Sequence, residues 1–138
     1  ALVLACDSLL DVDGRAYGKP GNEEAATDLW QALRGRSGVL HTGHCLVDCR
    51  PGTAGEQRTA VGSTTVHFAD VTDEEIAAYV ATGEPLRVAG GFTLDGFGGA
   101  FVAGVEGDHH NVIGLSLPLL RGLLAELGVA WHTLWNSG

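Results

Sequence analysis

The chain has 138 residues, of which 45% are apolar and 18% are charged, and its formal net charge is −9. This length and composition fit one folded domain with a hydrophobic core. The negative charge argues against binding to a nucleic-acid polymer or to a membrane surface, which both require clustered lysine and arginine. A small phosphate ligand remains compatible with it, because a metal ion and one or two cations can make a single site positive.

The first residue and the cysteines give expectations about an upstream segment and about the cellular compartment. Residue 1 is Ala1 and lies inside an expected strand, so we expect that an upstream segment is missing, cleaved or disordered. The three cysteines are Cys6, Cys45 and Cys49, and the sequence shows no signal-peptide pattern. This combination favours reduced thiols and a cytoplasmic location.

The first half of the chain predicts two hairpin-like units around a helix. Its elements, in order, are an apolar strand over 1–7 ending on Asp7, a continuation and hairpin over 8–17, a loop over 18–21, a helix over 22–35, a strand over 37–48, a loop over 49–62 and a strand over 63–69. Asp13-Gly14 is a strong two-residue turn signal. Asn22 suits a helix N-cap and Gly35 the residue after a helix end. The last two strands are expected to pair antiparallel.

The second half begins with a capping box, in which Thr72 precedes Glu75 by three residues. Its elements, in order, are a helix over 72–83, a loop over 84–91, a glycine-rich stretch over 92–99, a strand over 100–106, a turn over 107–111, a helix over 117–127 and a tail over 129–138. The resulting order, β-β-α-β-β-α-β-α, predicts an α/β domain with a mixed sheet, antiparallel pairs and flanking helices.

A carboxylate and a cation form the first candidate site. Asp7 is followed by the hydroxyl of Ser8, and Lys19, the only lysine in the chain, lies between a glycine and a proline. Carboxylate oxygens suit Mg²⁺ shared with phosphates, and an ammonium group is a compact partner for phosphate. The alternatives are that Asp7 caps a turn and that Lys19 is a solvated loop residue.

Other patterns in the sequence are weaker evidence for a functional site. The glycine-rich stretch around Asp95 lacks a Gly-Lys-Ser/Thr sequence, which excludes a P-loop. A zinc site built on His41, Cys45 and Cys49 is conceivable, but buried thiols and a strand histidine explain these residues as well.

A histidine-containing group and three arginines are further candidates for a functional site. Asp108 with the histidine pair 109–110 suggests acid–base chemistry, but a polar turn before the last helix is the favoured interpretation. Three arginines, Arg15, Arg87 and Arg121, could each contact phosphate, but a surface position is the default for each.

Several motifs then fall in order along the chain: Ala5-Cys6-Asp7-Ser8, Asp13-Gly14-Arg15, Gly18-Lys19-Pro20, Thr42-Gly43, residues 72–76, 79–85, 89–92, 105–107, 111–115 and 117–120. With these, the chain resembles the Maf (septum-formation-inhibitor-like) nucleoside triphosphate pyrophosphatases over nearly all of residues 1–128. The resemblance implies a Maf/inosine-triphosphatase-like domain over 1–128, the C-terminal two-thirds of that fold, followed by the tail over 129–138.

The resemblance also implies an activity and its residues. The reaction is hydrolysis of a nucleoside triphosphate, modified or noncanonical bases included, to a monophosphate and pyrophosphate with a divalent metal, Mg²⁺ or Mn²⁺. Asp7 matches the proton acceptor and a metal ligand, Lys19 the triphosphate contact, and Ser8 a position that helps to set base choice. Asp95 falls at another specificity position, where many members carry Gln; dTTP or UTP is the first expectation for the substrate.

The chain departs from the family at its start. The family's Ser-x-Ser-Pro-Arg-type loop and a downstream Glu, which help to complete the phosphate and metal site, are not found, so the fold is expected to be N-terminally incomplete. The competing interpretation is a truncated domain that binds a nucleotide or a protein without turnover. A homodimer is also left open, because Trp131 and Trp135 in the tail suggest burial against some partner surface.

Overall fold

One antiparallel sheet organises the chain, and the computed structural model describes it over residues 1–136. The strands are β1 (Leu2–Val12), β2 (Arg15–Tyr17), β3 (Ser37–Asp48), β4 (Gln57–Phe68) and β5 (Val102–Glu106). The helices are α1 (Glu23–Leu33), α2 (Asp73–Ala81), α3 (His109–Ile113) and α4 (Leu117–Glu126). Short 3-10 helices span Glu84–Arg87, Ala89–Gly91, Phe97–Phe101 and Trp131–Asn136. The predicted α/β order is confirmed, with α3 and the 3-10 helices added to it.

The sheet has the strand order β2-β1-β3-β4-β5, and every neighbouring pair is antiparallel. The β1–β2 hairpin turns at Asp13 and Gly14, whose φ angles of 52° and 82° fit the positive-φ turn that two-residue hairpins favour. The predicted antiparallel pairing of β3 with β4 is confirmed. However, β4 begins at Gln57, so the expectation of a loop over 49–62 was wrong for its last six residues. Pairing with β3 orders this glycine-containing, polar stretch, and local composition does not reveal such pairing.

The expectation that the first strand ends on Asp7 was also wrong. β1 continues without a break to Val12, and Asp7 lies in its middle, opposite Gly43 of β3. The strand extends because Leu10 and Val12 bury their side chains in the main core. Asp7 is therefore held by strand geometry on both sides and not by a turn.

Alternation along the strands gives the sheet a covered and an open face. On β3, buried residues alternate strictly with half-buried ones, and Leu40, Thr42, His44 and Leu46 belong to the buried set. The main core joins this face to α1 and α2, and Trp30 at its centre packs edge-on against three aromatic rings, those of Phe68, Tyr79 and Phe101. A smaller cluster around Leu46 packs against α4.

The helix ends follow the expected end signals. The Asn22 side chain accepts a hydrogen bond from Ala25 N at 2.8 Å, and Thr72 and Glu75 form both bonds of the predicted capping box. The predicted turn over 107–111 was wrong in part, because His109–Ile113 form the short helix α3 with Asp108 as its N-cap. A helix of five residues leaves too little periodicity to be recognised from sequence.

The C-terminal residues pack on the smaller cluster. Trp131 is partly buried against it, whereas Trp135 is 75% exposed. The last two residues of the predicted tail, 137 and 138, lie outside the described residues. Among residues 1–136, no helix combines the length and the apolar character that crossing a bilayer requires.

Candidate active site

One cleft brings together the four residues that the sequence singled out. Asp7, Ser8, Lys19 and Asp95 all line a cavity of about 300 Å³. Its remaining lining residues are Cys6, Leu40, Arg87, Val88, Ala89, Phe92, Thr93, Val112, Ile113 and Gly114. The four residues come from three separate segments, which are the middle of β1, the loop after β2 and the stretch after the Ala89–Gly91 helix. Their assembly is thus a result of the tertiary fold.

Asp7 and Ser8 are neighbours on β1, but their side chains have different surroundings. Asp7 is exposed, and its Oδ1 accepts a hydrogen bond from Ser8 N at 3.0 Å. Its other carboxylate oxygen has no hydrogen-bond partner within residues 1–136 and is free to bind a ligand. Strand alternation turns Ser8 toward the covered face, where its hydroxyl and that of Thr42 share a hydrogen bond of 2.7 Å.

A buried polar network continues from Ser8 to α3. Thr42 Oγ1 donates to the backbone carbonyl of Asn111 at 3.1 Å, and both residues are fully buried. The Asn111 side chain in turn donates to the carbonyls of Leu40 and Gly62 and to the hydroxyl of Thr64. These donated bonds orient the Asn111 side chain, although its buried Oδ1 accepts no hydrogen bond from the described residues. Thr42 was not recognised from the sequence as a support of Ser8; its membership in the Thr42-Gly43 motif was the available signal.

Backbone hydrogen bonds fix the loop that carries Lys19. Gly18 O accepts a bond from Gly90 N at 3.1 Å, and Gly21 N donates to Leu86 O at 3.0 Å. These two bonds bracket Lys19 and tie its loop to residues 86–90. The Lys19 side chain is exposed and forms no ion pair or hydrogen bond with any described residue. Its charge therefore remains available to a ligand in the cleft.

Glu84 organises the segment that carries Asp95. Its carboxylate accepts hydrogen bonds from Phe97 N and Gly98 N, each at 3.1 Å, and from the hydroxyl of Thr93 at 2.9 Å. Burial opposes ionisation of Glu84, but the hydrogen bonds outweigh it and hold the pKa of this carboxyl below its ordinary value. Asp95, within the segment thus held, is itself exposed. Sequence reasoning missed Glu84, which lies 11 positions before Asp95.

Carboxylates at the cleft fit a hard divalent cation. Asp7 and Asp95 both line it, and carboxylate oxygen is the ligand that Mg²⁺ and Mn²⁺ prefer. Cys6 also lines the cleft, and burial raises the pKa of its thiol. The donor set of the cleft thus fits Mg²⁺ or Mn²⁺ better than zinc.

The other candidate groups lie elsewhere. Within residues 1–136, His41, Cys45 and Cys49 do not form a metal-binding cluster, and His41 Nδ1 instead shares a hydrogen bond with the Ser63 hydroxyl at 2.7 Å. All three cysteines are free thiols. The zinc interpretation is therefore not supported.

The group around Asp108 serves the helix ends. Asp108, His109 and His110 place one ligand atom each within 4.8 Å of one another. However, Asp108 already accepts bonds from the backbone of His110 and from the hydroxyl of Ser116, which caps α4. These contacts join the starts of α3 and α4, and they explain the carboxylate without acid–base chemistry.

Of the three arginines considered, Arg87 alone lines the cleft. The Arg15 guanidinium lies over the Tyr17 ring at 5.3 Å, beside a neighbouring cavity. Arg121 lies on α4 near Trp131 and Trp135. Position in the fold thus separates three arginines that the sequence did not distinguish.

Comparison with known proteins agrees with the motifs. A family described as Maf-like protein matches residues 1–127. A nucleoside triphosphate pyrophosphatase of Salinispora tropica is 61% identical over 137 residues, which cover 99% of this chain and 59% of that protein. One of Streptomyces coelicolor is 58% identical over 135 residues, covering 98% of this chain and 64% of that protein.

A third relative shows the same unit in a larger protein. A nucleoside triphosphate pyrophosphatase/Nudix hydrolase fusion protein of Bifidobacterium longum is 50% identical over 139 residues, covering 99% of this chain and 28% of that protein. The chain thus spans less than two thirds of the length of each of these curated relatives. With nearly its whole length matched by the family and by relatives at 50% identity or more, the chain belongs to the Maf-like protein family.

Proposed function

We propose that this chain carries the catalytic centre of a nucleoside triphosphate pyrophosphatase, which hydrolyses a nucleoside triphosphate to a monophosphate and pyrophosphate. One observation carries the proposal: Asp7, Ser8, Lys19 and Asp95, singled out by motif, line the same cleft. The names of the relatives support the reaction class. The detailed mechanism, the metal and the base are part of the proposal.

In the proposed reaction, the free carboxylate oxygen of Asp7 orients a water molecule and accepts its proton. The water oxygen forms a bond to the α-phosphorus, the bond from that phosphorus to the bridging oxygen breaks, and pyrophosphate leaves with the electron pair. Lys19 stabilises the negative charge that develops on the phosphoryl oxygens. A Mg²⁺ or Mn²⁺ ion, held by Asp7 with Asp95 nearby, would neutralise phosphate charge when bound.

The base would be read by residues at the rim of the same cleft. Ser8 is fixed by Thr42 and can present its hydroxyl in one orientation. Asp95 accepts hydrogen bonds but donates none when ionised, unlike the Gln that many family members carry. We propose dTTP and UTP as the first substrates to test, with modified nucleotides in the same panel. Asp95→Gln should shift the order of preference within that panel.

The test is pyrophosphate release with the nucleotide panel in Mg²⁺ and in Mn²⁺. We expect Asp7→Asn to lower kcat at least about 100-fold with the melting temperature unchanged, because general-base catalysis typically contributes ~10²–10⁴. Glu126→Gln is the matched control, since Glu126 is an exposed carboxylate of α4 without a partner in the described chain. Wild-type turnover in Asp7→Asn would refute the proposed role.

Two forms of the protein separate turnover from binding alone. The assay is run on this chain and on the product of the whole encoding gene, should that be longer. If both bind nucleotide and neither releases pyrophosphate, the protein is a nucleotide-binding module and the catalytic proposal fails.

Partners and location are also proposals. We propose a nucleoside triphosphate as the partner, with neither a nucleic-acid polymer nor a membrane, in keeping with the net charge of −9. The three free thiols support a reducing, cytoplasmic location. The 75% exposed Trp135 supports a homodimer, which sedimentation of the wild-type protein and of a Trp135→Ser variant would test.

A further inference from the structure

Arg87 has a position that its sequence context did not reveal. It ends the 3-10 helix Glu84–Arg87, its side chain is exposed, and it lines the cleft that contains Asp7 and Lys19. The neighbouring backbone is tightly held, because Leu86 O and Gly90 N bond to the loop around Lys19. The buried Trp30 anchors the same segment by donating from Nε1 to Gly91 O at 2.7 Å.

The guanidinium of Arg87 is also unpaired. Four arginines form salt bridges with carboxylates, and these are Arg34, Arg36, Arg50 and Arg58. Within residues 1–136, Arg87 forms no ion pair, hydrogen bond or cation–π contact, although two carboxylates line its cleft. In a chain of net charge −9, an arginine left unpaired in a cleft is available for an anionic ligand.

Two cations therefore enter the cleft from two loops that are bonded to each other. The bonds from Gly90 N to Gly18 O and from Gly21 N to Leu86 O make the Lys19 loop and the Arg87 segment one backbone unit. Such a unit fixes the backbone origins of the two cationic side chains relative to each other, which favours a ligand with more than one negative group. The guanidinium offers a planar fork of donors that matches two phosphate oxygens, whereas an ammonium offers a point charge.

We infer that Arg87 binds the β- and γ-phosphates of the substrate, the part that leaves as pyrophosphate, and so positions the triphosphate for attack at its α-phosphorus. This inference rests on the proposed function. Arg87 and Lys19 hold the leaving group between them, while Asp7 addresses the α-phosphate. Arg87 is thereby a substrate-binding residue of the cleft, in addition to the four residues already described.

The experiment compares Arg87→Gln and Arg87→Lys with Arg121→Gln, a control at an exposed arginine of α4 that also lacks a side-chain partner in the described chain. Binding of inorganic pyrophosphate and of a nucleoside monophosphate is measured by calorimetry in Mg²⁺, and KM and kcat are measured for the triphosphate. We expect Arg87→Gln to weaken pyrophosphate binding and to raise KM about 10- to 100-fold, the range for loss of charged hydrogen bonds. Monophosphate binding should change less than about twofold, and Arg87→Lys should fall between wild type and Arg87→Gln.

Equal weakening of monophosphate and pyrophosphate binding would overturn the inference, as would unchanged pyrophosphate binding in Arg87→Gln. The binding measurements do not need turnover. If the wild-type protein binds pyrophosphate through Arg87 but hydrolyses nothing, the inference about Arg87 stands and the proposed hydrolase function fails. Unchanged melting temperatures in both variants, expected from the absence of side-chain partners, exclude a loss of fold.

Discussion

At Gly62, one added methyl group should change both the free energy of unfolding and the candidate site. It lies in β4 opposite Thr42, and a Cβ there would overlap Asn111 Oδ1 and come within 3.0 Å of Asn111 Cγ. Asn111 is fully buried and cannot turn away without breaking its bonds to Leu40 O, Gly62 O and Thr64 Oγ1. Gly62→Ala thus combines overpacking with the loss of buried hydrogen bonds.

The expected destabilisation is about 3 kcal/mol, since overpacking costs ~1–3 kcal/mol and a buried group left unsatisfied costs ~1–3 kcal/mol. For a chain of 138 residues, this lowers the melting temperature by about 10 °C. Urea denaturation gives the free energy of unfolding. Gly122→Ala is the control, because Gly122 lies within α4 with open space around it, and alanine there should stabilise by about 0.5–1 kcal/mol.

The result that would refute this reasoning is a Gly62→Ala variant as stable as the wild type. The packing of Asn111 against β4 would then be wrong, and with it the network that reaches Ser8 through Thr42. If the packing is right, Gly62→Ala should also change nucleotide preference, because moving Asn111 displaces the acceptor of the Thr42 hydroxyl.

Two further variants test the loop that carries Asp95 and the pH dependence of folding. Glu84→Gln must turn an amide N–H₂ toward a donor among Phe97 N, Gly98 N and Thr93 Oγ1, so we expect a loss of about 1–3 kcal/mol in the free energy of unfolding and a higher KM. Hydrogen bonds from Arg50 lower the pKa of Asp48 from 3.8 to about 2, so this pair stabilises the protein above pH 3.8 and loses its contribution as the pH falls through about 2. Melting temperatures of the wild type and Asp48→Asn should therefore differ at pH 6 and converge near pH 2; a constant difference would contradict the assignment.

Capping and turn residues in the sequence correctly predicted the ends of several elements. The capping box at Thr72, the N-cap at Asn22 and the Asp13-Gly14 turn each use a residue type that satisfies a backbone group at that point. Such interactions span three or four residues, so a single sequence reveals them. The start of β4 and the helix α3 depend instead on partners 10 to 71 positions away, and these were predicted wrongly.

The candidate site divides in the same manner. Ordered motifs singled out Asp7, Ser8, Lys19 and Asp95 as candidates. Spacing alone left open that Asp7 caps a turn and that Lys19 is a solvated loop residue. The residues that support them were not identified, because Thr42, Asn111 and Glu84 act through contacts that only the fold creates. Arg87 lines the cleft, yet nothing local in the sequence distinguished it from Arg15 and Arg121.

The position of β1 in the sheet predicts which part of the protein opens before the core unfolds. Among the residues that the structure describes, residues 2–9 of this strand pair with β3 alone, since β2 reaches only Leu10, Asp11 and Val12. The buried anchors of the strand, Leu10 and Val12, lie at its other end in the main core, whereas Leu2 and Leu4 are only partly buried against the smaller cluster. Fraying of the singly paired end exposes far less apolar surface than unfolding of the core, so it requires less free energy. Asp7 belongs to that end, so a local opening should displace its carboxylate while α1, α2 and their core remain folded.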